Sequence, residues 1–256
     1  MGLAAFTEIR SVANAEDQLM MTLLQSASLP PYSHPSADQW LGSDALSQSF
    51  LPLLLKATAY TLADVATAAS LALLIAIVIA SLGSLFPGVF GKFTFNLAST
   101  FSFSTPLIAV LLLLYSIWGD HPAVFPLTVG CLLWGSAALT VQTAISQETR
   151  SDYIKAARSF GIGRKRLILV HVFPNLLSSL RAAWLANWPA MLSASVLTAY
   201  LGANGGSPRL GSLLKTGYEL FPSCWWLWLP PTIITCVTFA AFFMIVERTA
   251  IGRPRA

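Results

Sequence analysis

The sequence predicts an all-α, polytopic membrane protein with about five transmembrane helices and a cytoplasmic helix–glycine–helix loop. Three observations predict it. The 256 residues are 55% hydrophobic and only 10% charged, with a mean hydropathy of +0.66, whereas a soluble domain is about 25% charged. Five apolar runs have the length of a membrane span, and the basic residues gather on alternate connections between them. This composition argues against a soluble enzyme, a nucleic-acid reader and a disordered chain. A nucleic-acid protein concentrates its basic residues on a polar fold, whereas here they punctuate apolar runs.

A hydrocarbon core of about 30 Å takes roughly 20 residues at the helical rise. The runs cover roughly residues 61–85, 95–118, 124–145, 182–201 and 225–246. They are rich in Leu, Ile, Val and Ala, with interspersed Gly, Ser and Thr that let helices approach closely in lipid. None alternates as a membrane β-strand does. Residues 1–50 form a separate segment, extracytoplasmic or interfacial, ahead of a transmembrane domain over 51–250. Within the segment Phe6, Ile9, Val12, Leu19, Leu23 and Leu24 follow loosely helical spacing, broken by Glu8, Arg10, Glu16 and Asp17. That pattern suits an amphipathic helix on a surface or partner, stopped at Pro30 and Pro31. It lacks the basic stretch and cleavage site of a signal peptide.

Basic residues set the orientation. Lys92, Arg150, Lys155, Arg158, Arg164, Lys165, Arg166, Arg181, Arg248, Arg253 and Arg255 fall on one side; Arg10, Lys56, Arg209 and Lys215 fall on the other. The first set marks the cytoplasm, so the long middle loop and the C-terminus are expected inside and the N-terminal segment outside. Trp118, Trp225, Trp226 and Trp228 then fall at outer boundaries, as an aromatic belt does.

Catalytic and metal signatures are weak. Residues 206–211 have the glycine spacing of a phosphate loop, but Ser212 and Leu213 follow where Lys and Ser or Thr are needed. His34, His121 and His171 lie in separate loops, and the three Cys have no ligand or disulfide spacing. No metal site and no catalytic group are expected. Asp64 lies in the first apolar run, where a carboxylate is a functional candidate; solvation near the headgroups or in a polar cavity is the other reading. The fourth run carries Asn187, Pro189, Ser193, Ser195 and Thr198. Such a polar stripe either joins helices or lines a wet cavity. Asp64, Asn187 and Ser193 are the candidates for a translocation path, and Pro189 is expected to bend the run.

The most informative stretch lies within residues 147–176. Thr149 or Ser151 can cap a short helix, Asp152 suits its first turn, and Ala156 and Ala157 leave one side of it bare. Gly161 suits a left-handed helix end, and a second short helix runs from Arg164 towards Phe173 before Pro174 turns the chain. This ordered arrangement exceeds what membrane topology requires.

The loop resembles the signature loop of binding-protein-dependent ABC importer permeases, in which Glu-Ala-Ala is followed by Gly and later by Pro. It is most similar to the dipeptide, oligopeptide and nickel branch: Tyr153, Ala156, Ala157, Arg158, Gly161, His171, Pro174 and Asn175 match that pattern in register. The stretch from His34 to Asp44 and the residues Ala199, Tyr200, Leu201, Gly202, Gly211 and Leu214 resemble two further family segments, less specifically. Lys155 departs from the family's Glu, and Ser43 from its Arg. Relatives also have six spans where five are read here, the missing one being the first.

The resemblance implies a permease subunit that forms half of a path for peptides or similar small solutes. It implies a second permease subunit, two ATPase subunits and an extracytoplasmic substrate-binding protein as partners, in a bacterial-type inner membrane. ATP and Mg belong to the ATPases, with no cofactor on this chain. Tyr153, Lys155, Ala156, Ala157, Arg158 and Gly161 would contact an ATPase, and His171, Pro174 and Asn175 would set the geometry towards the next span. A nickel or metal-chelate importer and a non-transporting scaffold are the alternatives.

Overall fold

The computed structural model describes residues 31–37, 39–86, 88–103, 107–119, 121–152, 154, 176–203, 205–221 and 223–251. Among them the regular structure is helical: α1 (Phe50–Leu85), α2 (Val89–Phe103), α3 (Leu107–Trp118), α4 (Val124–Leu132), α5 (Trp134–Thr149), α6 (Leu177–Ala186), α7 (Trp188–Tyr200), α8 (Leu210–Glu219) and α9 (Trp225–Ile251). The amphipathic helix expected before residue 30 lies outside the described residues.

The centre of the bundle is α1. Its 36 residues extend about 54 Å at the helical rise, more than a bilayer core requires. Phe50, Leu54, Ala57, Thr61, Val65, Ala68, Ala72, Ala76 and Ala80 recur at helical spacing and are all buried. The alanines keep this face narrow, which lets α2, α4, α5 and α7 pack around one axis. Hydroxyls on α1 donate to carbonyls four residues back, as Thr58 does to Leu54 at 2.8 Å and Ser70 to Ala66 at 2.7 Å. This satisfies them without water.

By length and composition α1 and α9 can each cross a membrane, and two bent pairs can do so as composite spans: α2 with α3, bent by 78°, and α4 with α5, bent by 44°. The interval between α2 and α3 contains Pro106 in the sequence, which has no N–H to continue a helix ladder.

The fourth expected run, 182–201, is divided between α6 and α7. The break is at Asn187, two residues before the expected bend at Pro189. Proline leaves the Leu185 carbonyl without its usual donor, and the Asn187 N–H turns to that carbonyl. The Asn187 Nδ2 then takes the Ala183 carbonyl at 2.9 Å, the acceptor its own backbone N–H would have used. One proline and one carboxamide together redirect the chain.

Residues 31–49 fold onto one end of the bundle. Asp44 Oδ1 accepts the N–H groups of Leu46 and Gln48, each at 2.9 Å, and the His34 ring stacks on Trp226 with centroids 4.4 Å apart. Trp226 therefore departs from the aromatic belt expected of it: it is 2% exposed, beside Phe50, Leu54 and Leu210, whereas Trp118 and Trp225 are more than half exposed.

Candidate functional site

Two polar or anchoring centres lie along α1, one near its middle and one near its C-terminal end. Near the middle of α1, the Arg209 Nε donates to Asp64 Oδ2 at 2.5 Å. The pair is nearly dry, the side chains being 4% and 15% exposed. Asp64 is brought there by α1, and Arg209 by the turn that enters α8. One helical turn before Asp64, Thr61 Oγ1 accepts the Leu210 N–H at 3.1 Å and donates to the Ala57 carbonyl. Arg209's own N–H goes to Ser212 Oγ. The start of α8 is thus fastened to α1 by one charged and one neutral hydrogen bond on adjacent residues. Tyr115 of α3 lies close enough to interact electrostatically with the same guanidinium.

Close backbone approach makes this arrangement possible. A Cβ at Gly211 would overlap the Val196 carbonyl oxygen and come within 2.7 Å of the Tyr200 N, so α8 lies directly on α7. Gly205, at φ +62°, has the Arg209 guanidinium 2.5 Å from where its Cβ would be. The left-handed conformation favours glycine there, and any larger residue would have to displace the guanidinium that Asp64 holds.

The other centre anchors the long loop. Ile154 near its start and Leu176 at its end are each 1% exposed and share one apolar cluster with Ala80 of α1, Val141 and Ile145 of α5, and Leu180 and Ala183 of α6. Both ends of the loop therefore attach to the spans at a single point. Asp152 is helical, as expected for a first turn. The expected caps have other bonds: Thr149 Oγ1 donates back to the Ile145 carbonyl, and Ser151 Oγ donates to that of Glu148 at 2.6 Å. Tyr153, Lys155, Ala156, Ala157, Arg158, Gly161, His171, Pro174 and Asn175 lie outside the described residues.

The polar stripe of the fourth run separates into distinct uses. Asn187 Oδ1 accepts from Ser136 Oγ of α5 at 2.6 Å, which joins two helices. Ser195 and Thr198 are buried. Ser193 is exposed, donates to the Pro189 carbonyl, and lines an open groove of about 510 Å³ between α3 and α7, with Leu107, Ala190 and Leu197. Asp64, Asn187 and Ser193 therefore do not converge on one site. Arg209, read from the sequence only as an outer-side charge, is the partner that sequence reasoning missed; it lies 145 positions from Asp64, and no local spacing signals such a pair. Among the described residues no group of three or more His, Cys, Asp or Glu is placed to hold a metal ion.

Solved structures of similar fold include the inward-facing MetNI methionine ABC transporter. It aligns at TM-score 0.61 and 19% identity over 80% of this chain and 98% of that one. An amino acid ABC transporter with histidines aligns at TM-score 0.57 and 16% identity, over 81% and 95%. Among curated proteins the chain is 24% identical over 144 residues to the oligopeptide transport system permease protein OppC of Haemophilus influenzae, covering 56% of this chain and 46% of that protein. It is 21% identical over 215 residues to OppC of Bacillus subtilis, covering 82% and 70%. It is 27% identical over 139 residues to the dipeptide transport system permease protein DppC of Escherichia coli K12, covering 54% and 46%. The matches thus span about half the length of two of these relatives. The family model described as binding-protein-dependent transport system inner membrane component matches residues 72–250. With that match over most of the helical bundle, the chain belongs to the family of inner-membrane components of binding-protein-dependent transport systems.

Proposed function

We propose that the chain is a permease subunit of an ATP-driven ABC importer and forms half of a translocation path for peptides or similar small solutes. The observation that carries this reading is the family match over residues 72–250, joined to the names of the relatives, which are oligopeptide and dipeptide permease proteins. A second permease subunit completes the path, and an extracytoplasmic binding protein delivers the solute. Two ATPase subunits hold ATP and Mg, so hydrolysis is not a task of this chain. The loop over 147–176 and the C-terminus face the cytoplasm, in keeping with the distribution of basic residues.

In this mechanism the loop is the contact with an ATPase, through Tyr153, Lys155, Ala156, Ala157, Arg158 and Gly161. Closure of the ATPases displaces the loop. Ile154 and Leu176 pass the displacement to α1, α5 and α6 together, because all three meet in one packed cluster. Packed clusters shift between discrete arrangements rather than deform continuously, so the spans tilt as a unit between inward-open and outward-open states.

The test is reconstitution of the chain with its second permease, ATPases and binding protein in proteoliposomes. ATP-dependent accumulation of labelled di- to pentapeptides is expected. Accumulation of a nickel chelate instead of peptides would reassign the solute. ATP hydrolysis without uptake of any solute delivered by the binding protein would overturn the transporter reading.

A further inference from the structure

We propose that the groove between α1 and α6 binds an anionic phospholipid of the cytoplasmic leaflet, its phosphate on Arg181 and an acyl chain along Leu73, Leu74, Leu177 and Leu180. The groove has a volume of about 410 Å³, and its walls are leucines apart from Ser70, Arg181 and Trp184. Its two polar edges differ in state. The Trp184 Nε1 donates to Ser70 Oγ at 3.3 Å, which ties α6 to α1 and sets the width of the groove. Arg181 is exposed and, among the described residues, has no hydrogen-bond or ion-pair partner.

A cation beside an apolar groove in a membrane protein calls for an anion that brings its own apolar tail. An unpaired guanidinium at the edge of hydrocarbon is costly; the buried Arg209 is relieved of such a cost by Asp64. Nothing in the groove does the same for Arg181. It lies one turn inside the start of α6, at the end that the basic residues mark as cytoplasmic. Cα–Cβ bonds tilt toward a helix N-terminus, so the long side chain is directed back to headgroup depth. A guanidinium matches phosphate with paired donors, and basic pockets between spans on the cytoplasmic side are the recurring form of such sites. Leucine walls suit an acyl chain and offer a peptide backbone no partner.

The proposal rests on the membrane orientation and not on the transported solute, so a failure of peptide uptake leaves it standing and the lipid measurement alone decides it. The assembled transporter, delipidated in detergent, is titrated with phosphatidylglycerol, with phosphatidylcholine or with inorganic phosphate. Bound lipid is read by native mass spectrometry, and stability by the thermal unfolding midpoint. Phosphatidylglycerol is expected to be retained and to raise the midpoint, and Arg181→Gln is expected to weaken retention about fivefold. Leu177→Trp, which fills the groove and keeps the charge, is expected to weaken it as well. Equal retention by wild type and Arg181→Gln would overturn the proposal, as would equal stabilisation by inorganic phosphate alone. So would efficient cross-linking of Leu74→Cys to the second permease subunit, since a protein would then cover the groove.

Discussion

At Asp64 and Arg209 two charges sit where water is scarce, so each is stable only because the other is present. Replacing both members of a buried pair by apolar residues is often neutral, whereas removing one leaves a bare charge at a cost of about 3–5 kcal/mol. Asp64→Ala is therefore expected to lower the thermal midpoint and detach α8, and Asp64→Leu combined with Arg209→Met to recover most of the stability. Thermal unfolding of the two variants in the same detergent checks this. Equal destabilisation by the single and double variants would mean that the pair has a role beyond mutual neutralisation. Ser136→Ala is a milder case: it leaves the Asn187 Oδ1 without the hydroxyl that now reaches it at 2.6 Å. A cost of about 0.6 kcal/mol, the average for hydrogen bonds between spans, is expected from denaturant unfolding.

Among the elements, the two ends of the long loop meet in one packed cluster, through which the proposed mechanism passes the loop's displacement, and α8 lies directly on the α7 backbone. Ile154→Ala opens a cavity in the cluster where α1, α5 and α6 meet, at about 2–5 kcal/mol. The expected outcome is a transporter whose ATPase still turns over while uptake falls, measured as solute moved per ATP hydrolysed. An unchanged ratio would show that the cluster does not transmit the motion. Gly211→Val pushes a branched side chain against the α7 backbone, where even a single Cβ has no room. Overpacking of about 1–3 kcal/mol is expected, together with faster exchange of α8 amides. Neither feature is legible in the sequence. Ile154 is one apolar residue among many, and Gly211 belongs to a run of glycines whose spacing suggests a phosphate loop before it suggests a helix crossing.

The whole molecule has much apolar surface turned outward: Leu74, Val78, Phe93, Phe95, Ile117, Val237, Phe243 and Met244 are all at least half exposed. Patches of that extent mark lipid or protein contacts, and the groove bearing Ser193 is open along one side. On the proposed function, the chain purified alone is expected to be inactive, and co-purification with the second permease is expected to shield a Cys placed at Ser193 from maleimide. Labelling of that Cys at the same rate in both preparations would place the partner elsewhere.

The composition and the five apolar runs determined the class of the protein, because the length of a span and the exclusion of charge from lipid are imposed by the bilayer on any sequence. The loop residues determined the family resemblance, because Tyr153, Ala156, Ala157, Gly161 and Pro174 stand at the spacing of a recurring sequence pattern. Tertiary structure decided the rest. Asp64 had two sequence readings, and its environment was settled by an arginine far along the chain; the polar stripe of the fourth run divided between helix joining, burial and a groove according to which neighbour each residue met. Pro189 pointed to a bend, and the break falls two residues before it, at Asn187, where the proline frees the Leu185 carbonyl and a side chain takes over a backbone acceptor. Each of these outcomes depends on what lies across a helix interface, and periodicity along one helix carries no information about its neighbour.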